Sequence, residues 1–292
     1  MFKRAEFEVT YKCNLNCLYC YRDFLTKREL DTRSCLNIIQ HVKKLGIKEI
    51  HFTGGEPLLR KDIFLLLAYS NNIGLITVLE TNGTLINKDY AFKIKNLGIS
   101  RVKISLDGVG KIHEYLRGKG SFNATIRGVK YLVDCEQYTE IQLTLSKLNL
   151  NNIFEVLDLC EKLGINSFRV RLLLPGGKGL ECKNLLLTPK EVIKIYKELK
   201  ILKKKYSFCI HTELLKDESI KKDMLTSFSI DPAGYVRPYI FSNLKLNRVL
   251  DIQNCKDLEL KIRKALPVVR EECKAIEKYL HLVTSKIKNC ES

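Results

Sequence analysis

Thr10-Tyr11-Lys12-Cys13-Asn14-Leu15-Asn16-Cys17-Leu18-Tyr19-Cys20-Tyr21 carries three thiols in the spacing C-x3-C-x2-C. Soft thiolates at this density suit an iron–sulfur cluster or zinc, whereas disulfide pairing would leave one of the three without a local partner. A closed structural site wants four ligands. Three leave one metal position open, which is what a catalytic centre needs to take a substrate or cofactor. The next cysteine, Cys35, follows fifteen residues after Cys20 and falls in a helical pattern, so it supplies no obvious fourth ligand.

Working outward, Phe7 to Tyr11 alternates as a first strand, and the cysteine loop starts at its C-terminal end. Asp31-Thr32-Arg33-Ser34 offers a cap for a helix whose buried face carries Cys35, Ile38, Ile39, Val42 and Leu45, and Gly46 stops it. Lys48 to Thr53 reads as a second strand ending in Gly54-Gly55-Glu56-Pro57, and Leu75 to Leu79, after a helix from Ile63 to Asn71, as a third ending in Glu80-Thr81-Asn82-Gly83. The pattern repeats through helix 87–97, strand Arg101 to Leu106 with Asp107-Gly108 at its end, helix 123–135, strand Glu140 to Leu145, helix 151–163 and strand Ser167 to Leu173.

Six strands alternating with helices predict a parallel sheet with right-handed crossovers. Polar clusters after each strand suit a barrel or partial barrel with its site at the strand C-termini; a doubly wound open sheet is the rival that periodicity alone leaves standing. After residue 187 the pattern changes: a Lys-rich helix from Thr188-Pro189 to Lys205, a strand Tyr206 to His211, two short strands around Asp231-Pro232-Ala233-Gly234, and a helical segment 256–288 broken at Pro267. The reading is α/β: a partial (β/α)6 TIM-type barrel in residues 1–187 and a small α+β extension in residues 188–292.

The chain has 292 residues, 45% of them hydrophobic, enough for a sizeable core and against disorder. No run of about 18 apolar residues occurs, and Met-Phe-Lys-Arg-Ala-Glu-Phe-Glu has neither a signal-peptide core nor a cleavage site, so a cytoplasmic protein with no membrane partner is expected. Eleven cysteines then read as metal ligands and free buried thiols. The net charge of +17 is spread, +9 over residues 1–185 and +8 over 186–292. Such an excess attracts nucleic acid, an acidic peptide or a phosphorylated substrate, but lysines at helical spacing also make an ordinary solvated surface, and a nucleic-acid partner is not favoured.

The cysteine loop, with Tyr19 before its last thiol, resembles the signature of the radical S-adenosylmethionine (radical SAM) superfamily over residues 5–180. Gly54-Gly55-Glu56-Pro57 resembles that family's GGEP element, Thr81-Asn82-Gly83 its TNG element and Ser105-Leu106-Asp107-Gly108 its SLDG element, in the family's order and at strand ends. The resemblance implies a 4Fe–4S cluster ligated by Cys13, Cys17 and Cys20 and chelated at its unique iron by S-adenosylmethionine. One electron, from a donor such as flavodoxin or ferredoxin, then releases a 5′-deoxyadenosyl radical that abstracts hydrogen from substrate.

In this reading Gly54 and Gly55 admit backbone close to the methionine end, with Pro57 closing that element, and Glu56 accepts from the ammonium. Thr81, Asn82, Ser105 and Asp107 supply hydrogen-bonding groups to the ribose and the rest of the cofactor, and Tyr19 packs near the adenine. Arg171 is a candidate for the cofactor carboxylate; Arg169 has the same character, and strand alternation is expected to select one of them. Each element also has a plainer reading: a zinc site, an ordinary glycine turn with a first-turn proline, an Asn-Gly turn, a cap at Ser105 and Asp107. His51 reads as structural and Arg117-Gly118 with Phe122 as loop architecture.

Ile230 to Tyr239 resembles the hairpin of the SPASM or twitch extension found in peptide maturases, where a cysteine typically follows the proline; this chain has Tyr239 there. Cys182, Cys209, Cys255, Cys273 and Cys290 are scattered, so auxiliary clusters are not expected, although one of these thiols suits hydrogen donation to a substrate radical. The expected substrate is a peptide, crosslinked or epimerised, with a small molecule of cofactor or nucleotide biosynthesis as the alternative and a non-catalytic basic iron–sulfur binding protein as the alternative of another class.

Overall fold

The computed structural model describes residues 2–21, 28–212, 226–239 and 244–291, with side chains to residue 285. Its strands are β1 (Arg4–Glu8), β2 (Glu49–Thr53), β3 (Ile76–Thr81), β4 (Arg101–Ser105), β5 (Thr139–Leu145), β6 (Ser167–Leu172), β7 (Cys209–His211), β8 (Ser227–Ile230) and β9 (Val236–Arg237). The helices are α1 (Thr32–Lys44), α2 (Ile63–Asn72), α3 (Lys88–Asn96), α4 (Lys111–Arg117), α5 (Ser121–Asp134), α6 (Ile153–Leu163), α7 (Pro189–Leu202), α8 (Cys255–Glu272) and α9 (Lys274–Glu291).

The sheet order is β7-β6-β5-β4-β3-β2-β1-β8-β9, parallel throughout except for the β8–β9 hairpin. From β1 to β7 each strand lies beside its predecessor, without the reversal of order that defines a doubly wound sheet. Side-chain alternation agrees. Ala5, Phe7, Ile50, Phe52, Val102, Ile104, Ile141, Leu143, Phe168 and Val170 are buried in the main hydrophobic core. The intervening positions carry Arg4, Glu6, His51, Glu80, Lys103, Gln142, Arg169 and Arg171. One face of the sheet therefore carries the helices, and the polar face wraps a cavity lined from β1, β2, β3, β4, β5, β6 and β8. This is a partial barrel, open between β7 and β9 among the described residues.

Three boundaries differ from the sequence expectation. β1 begins at Arg4 and ends at Glu8, before Tyr11, because Thr10 and Lys12 turn to accept from Gly55 N and Glu56 N at 2.7 and 2.8 Å. β7 is confined to Cys209–His211. The last helical segment runs unbroken through Pro267 and divides at Cys273 instead. Proline in a helix interior costs about 3 kcal/mol, but Leu258 and Ile262 before it and Val269 after it are all fully buried, so both halves are held to the core. Asp31 caps α1, accepting from Ser34 N at 2.7 Å as expected.

Residues after 187 widen the same sheet at both edges, β7 beside β6 and β8 beside β1. A buried ion pair, Arg237 Nη1 to Glu8 Oε1 at 3.2 Å, ties the terminal hairpin to β1. No helix is long and apolar enough to cross a membrane among the described residues.

Helix α5 packs so closely on the Thr81-Asn82-Gly83 turn that a Cβ at Gly128 would stand 2.3 Å from the Gly83 carbonyl oxygen. Gly128→Ala is expected to destabilise the fold by about 1–3 kcal/mol despite alanine's better helix propensity. Denaturant unfolding checks this, and a variant as stable as the wild type contradicts it.

Candidate active site

The cysteine loop is pinned from two sides: Leu18 N donates to Leu116 O of α4 at 2.9 Å, and Lys178 N donates to Cys20 O at 3.0 Å. It lies across the end of β2 only because residue 54 is glycine. Gly54 has φ +128°, and a Cβ there would stand 2.6 Å from Thr10 O. Cys13, Cys17 and Cys20 are free and half-buried, and all three line the cavity, of about 470 Å³. Among the described residues no three His, Cys, Asp or Glu side chains converge as one metal ion would require. A cluster makes a different demand, since each thiolate takes its own iron, and three free thiols of one loop lining one cavity suit it.

Of the residues expected to hold the cofactor, Tyr19, Gly54, Gly55, Thr81, Asn82, Ser105 and Arg171 line this cavity with the thiols. Glu56, Pro57 and Asp107 stand behind its wall, fully or almost fully buried. Glu56 accepts from Leu58 N at 3.1 Å, Thr81 Oγ1 at 2.7 Å and Asn82 N at 2.8 Å, so its carboxylate fastens the end of β2 to the end of β3. Asp107 accepts from the Tyr19 hydroxyl, from Arg117 Nε and from Thr144 N, the last at 2.7 Å. Burial, and then the Asp107 carboxylate, push the Tyr19 hydroxyl well above the ordinary phenol range, which keeps it a donor. Asn82 also reaches the cysteine loop, its Nδ2 donating to Asn14 Oδ1 at 2.9 Å.

Arg117 is the residue that the loop reading passed over. Its guanidinium lines the cavity, donates to Asp107 and comes within 3.9 Å of Cys17 Sγ. Burial raises the Cys17 thiol, and the Arg117 charge acts in the opposite direction. The helical placement of α4 directly after the SLDG element was the available signal. The alternation argument for Arg169 and Arg171 is corrected: residues two apart on a strand share a face, and both line the cavity.

Deeper on the same face Lys103 Nζ and His51 Nδ1 each lie 2.8 Å from Glu80 Oε1, and His51 Nε2 meets Glu49. His51 is thus structural, as expected. The hydrogen bond to His51, against burial, holds the Glu49 carboxyl at about 2. Glu6, Gln142 and, from the C-terminal region, Phe228, Ser229 and Tyr239 complete the wall. None of these was singled out as a site residue, although the polar positions of β1 and β5 were visible as alternation. Cys182, Cys209, Cys255 and Cys273 do not line the cavity; the Cys290 side chain lies outside the described residues.

His113 supports the Asp107 turn, its Nδ1 accepting from Asp107 N at 3.1 Å. Burial, reinforced by Arg117, lowers it from 6.5 to about 4. A depressed histidine contributes stability that is present above its unfolded value and lost as pH falls through the window from 6.5 to 4, here about 3 kcal/mol. Unfolding measured across that window should show the loss, and His113→Leu should flatten it; an unchanged slope contradicts the assignment.

Residues 7–186 match the sequence profile of the radical SAM superfamily. The chain is 34% identical over 189 residues to the AdoMet-dependent heme synthase of Oleidesulfovibrio alaskensis, covering 63% of this chain and 49% of that protein. It is 30% identical over 179 residues to the mycofactocin maturase of Mycolicibacterium smegmatis, covering 60% and 45%. The chain thus spans about half the length of the curated relatives it matches. In fold it resembles the crystal structure of native anSMEcpe with bound AdoMet and Cp18Cys peptide, with a TM-score of 0.70 at 21% identity, covering 95% of this chain and 84% of that one. The profile spans more than half of the sequence, and the chain belongs to the radical SAM superfamily, whose members are enzymes that use a 4Fe–4S cluster and S-adenosylmethionine.

Proposed function

We propose that this radical SAM enzyme modifies a peptide, by thioether or carbon–carbon crosslinking or by epimerisation. Cys13, Cys17 and Cys20 hold the cluster, and Tyr19, Gly54, Gly55, Thr81, Asn82 and Ser105 line the seat of S-adenosylmethionine beside it. Glu56, Pro57 and Asp107 hold that seat in shape. Residues 1–187 form the catalytic core, and residues 188–292 form a SPASM- or twitch-like extension that closes the substrate side.

The observation that carries the peptide reading is how the two likenesses divide the chain. The curated relatives match about 60% of it, whereas the fold likeness to a peptide-bound enzyme extends over 95%, which takes in the region that supplies Phe228, Ser229 and Tyr239 to the cavity. When bound, the cluster and S-adenosylmethionine supply a 5′-deoxyadenosyl radical that abstracts hydrogen from the substrate. The chain's own part is positional. The Gly54-Gly55 backbone admits close approach. Asp107 orients Tyr19 and Arg117, and the apolar wall of Leu172, Leu173, Leu174 and Phe228 keeps water from a reactive species. The +17 surface suits an acidic electron donor such as flavodoxin or ferredoxin. The names of the heme synthase relatives favour a second reading, small-molecule cofactor biosynthesis.

Anaerobic reconstitution should load about four irons per chain, and reduction with S-adenosylmethionine should release 5′-deoxyadenosine, which Cys17→Ala abolishes. About eight irons would place a second cluster on the later cysteines. A precursor peptide encoded beside this chain should accelerate the release and change in mass; no 5′-deoxyadenosine from loaded protein, or acceleration by a tetrapyrrole instead, contradicts the proposal.

A further inference from the structure

The polar face of the sheet keeps its charges in pairs. Among the cations lining the cavity, Arg4 pairs with Glu6 at 3.2 Å, Lys103 with Glu80 at 2.8 Å, Arg169 with Glu140 at 3.0 Å, and Arg117 with Asp107. Arg171 differs. Its guanidinium has no carboxylate partner among the described residues, and its Nε is buried without a hydrogen-bond partner. Glu80 feels the Arg171 charge, but its Oε1 is already taken by Lys103 and His51. A buried, charged donor without an acceptor is costly, and the group that matches a guanidinium edge with two parallel hydrogen bonds is a carboxylate.

We propose that Arg171 seats a carboxylate of the substrate, so that the substrate enters the cavity as an anion. This deepens the function proposed above and rests on it. The cofactor carries a carboxylate too, and Gly54, Gly55 and Arg171 line the same cavity, so the arms of the test separate the two sources. The pairing of every other lining cation leaves Arg171 as the lining guanidinium that has no carboxylate partner among the described residues.

The test uses cluster-loaded protein saturated with S-adenosylmethionine and titrates N-acetyl dipeptides as free acids and as C-terminal amides, by calorimetry. The acids should bind about tenfold or more tightly than the amides. Arg171→Met should abolish that preference and Arg171→Lys should keep part of it, with thermal unfolding confirming that both variants fold. S-adenosylmethionine affinity should change less than about twofold. Equal binding of acids and amides overturns the proposal, as does a preference that survives in Arg171→Met. So does a tenfold loss of S-adenosylmethionine affinity that its decarboxylated analogue does not share, which assigns Arg171 to the cofactor. Failure of the radical chemistry itself shows separately, as loaded wild-type protein that releases no 5′-deoxyadenosine.

Discussion

The carboxylate of Asp107 is the point on which the site's geometry turns. It is fully buried and gathers three donors from three separate segments: Tyr19 of the cysteine loop, Arg117 of α4 and Thr144 of β5. A buried carboxylate is tolerable only with such compensation, and removing one partner of a buried pair costs about 3–5 kcal/mol. The same demand that satisfies Asp107 therefore fixes where the loop, the helix and the strand end meet. Glu56 plays the matching part on the other side, joining the end of β2 to Thr81 and Asn82. Between them these two acids hold the cavity wall from behind, so the residues facing the cavity are placed before any ligand arrives.

A second constraint follows from the sheet. Parallel sheets are ordinarily buried on both faces and apolar on both. Here one face is apolar under the helices and the other polar around the cavity, which makes an inward charge costly unless it finds a partner. The Glu49–His51–Glu80–Lys103 chain and the Glu140–Arg169 pair supply such partners. The terminal hairpin joins the same scheme through Arg237 and Glu8, so the extension is bound to the core by charge as well as by strand pairing.

Much of this was legible in the residues. The thiol spacing, the three strand-end elements and the βα alternation point to the superfamily and to the partial barrel, and the six core strands lie where their patterns place them within a few residues. The barrel could have been separated from the doubly wound sheet too, since Lys103-Ile104-Ser105 and Glu140-Ile141-Gln142-Leu143-Thr144 alternate polar with apolar. What a motif does not disclose is which side of a wall a residue occupies. Glu56 and Asp107 sit inside elements that resemble the family's signatures, and their carboxylates accept from the protein's own donors. Arg117 was hidden because its partners, Asp107 and Cys17, are ten and one hundred residues away. Pro267 misled because propensity is local, whereas the burial that overrides it belongs to the whole core.

The central claim is that three thiolates leave one iron of a cluster open to S-adenosylmethionine within this cavity. Electron paramagnetic resonance of the reduced, reconstituted protein with and without S-adenosylmethionine tests it most directly. Coordination at an open iron predicts a signal that shifts on adding the cofactor and that stays unshifted with an analogue lacking the amino and carboxylate groups. Spectra that are identical with and without saturating S-adenosylmethionine would mean a fully ligated or absent cluster and would contradict the account.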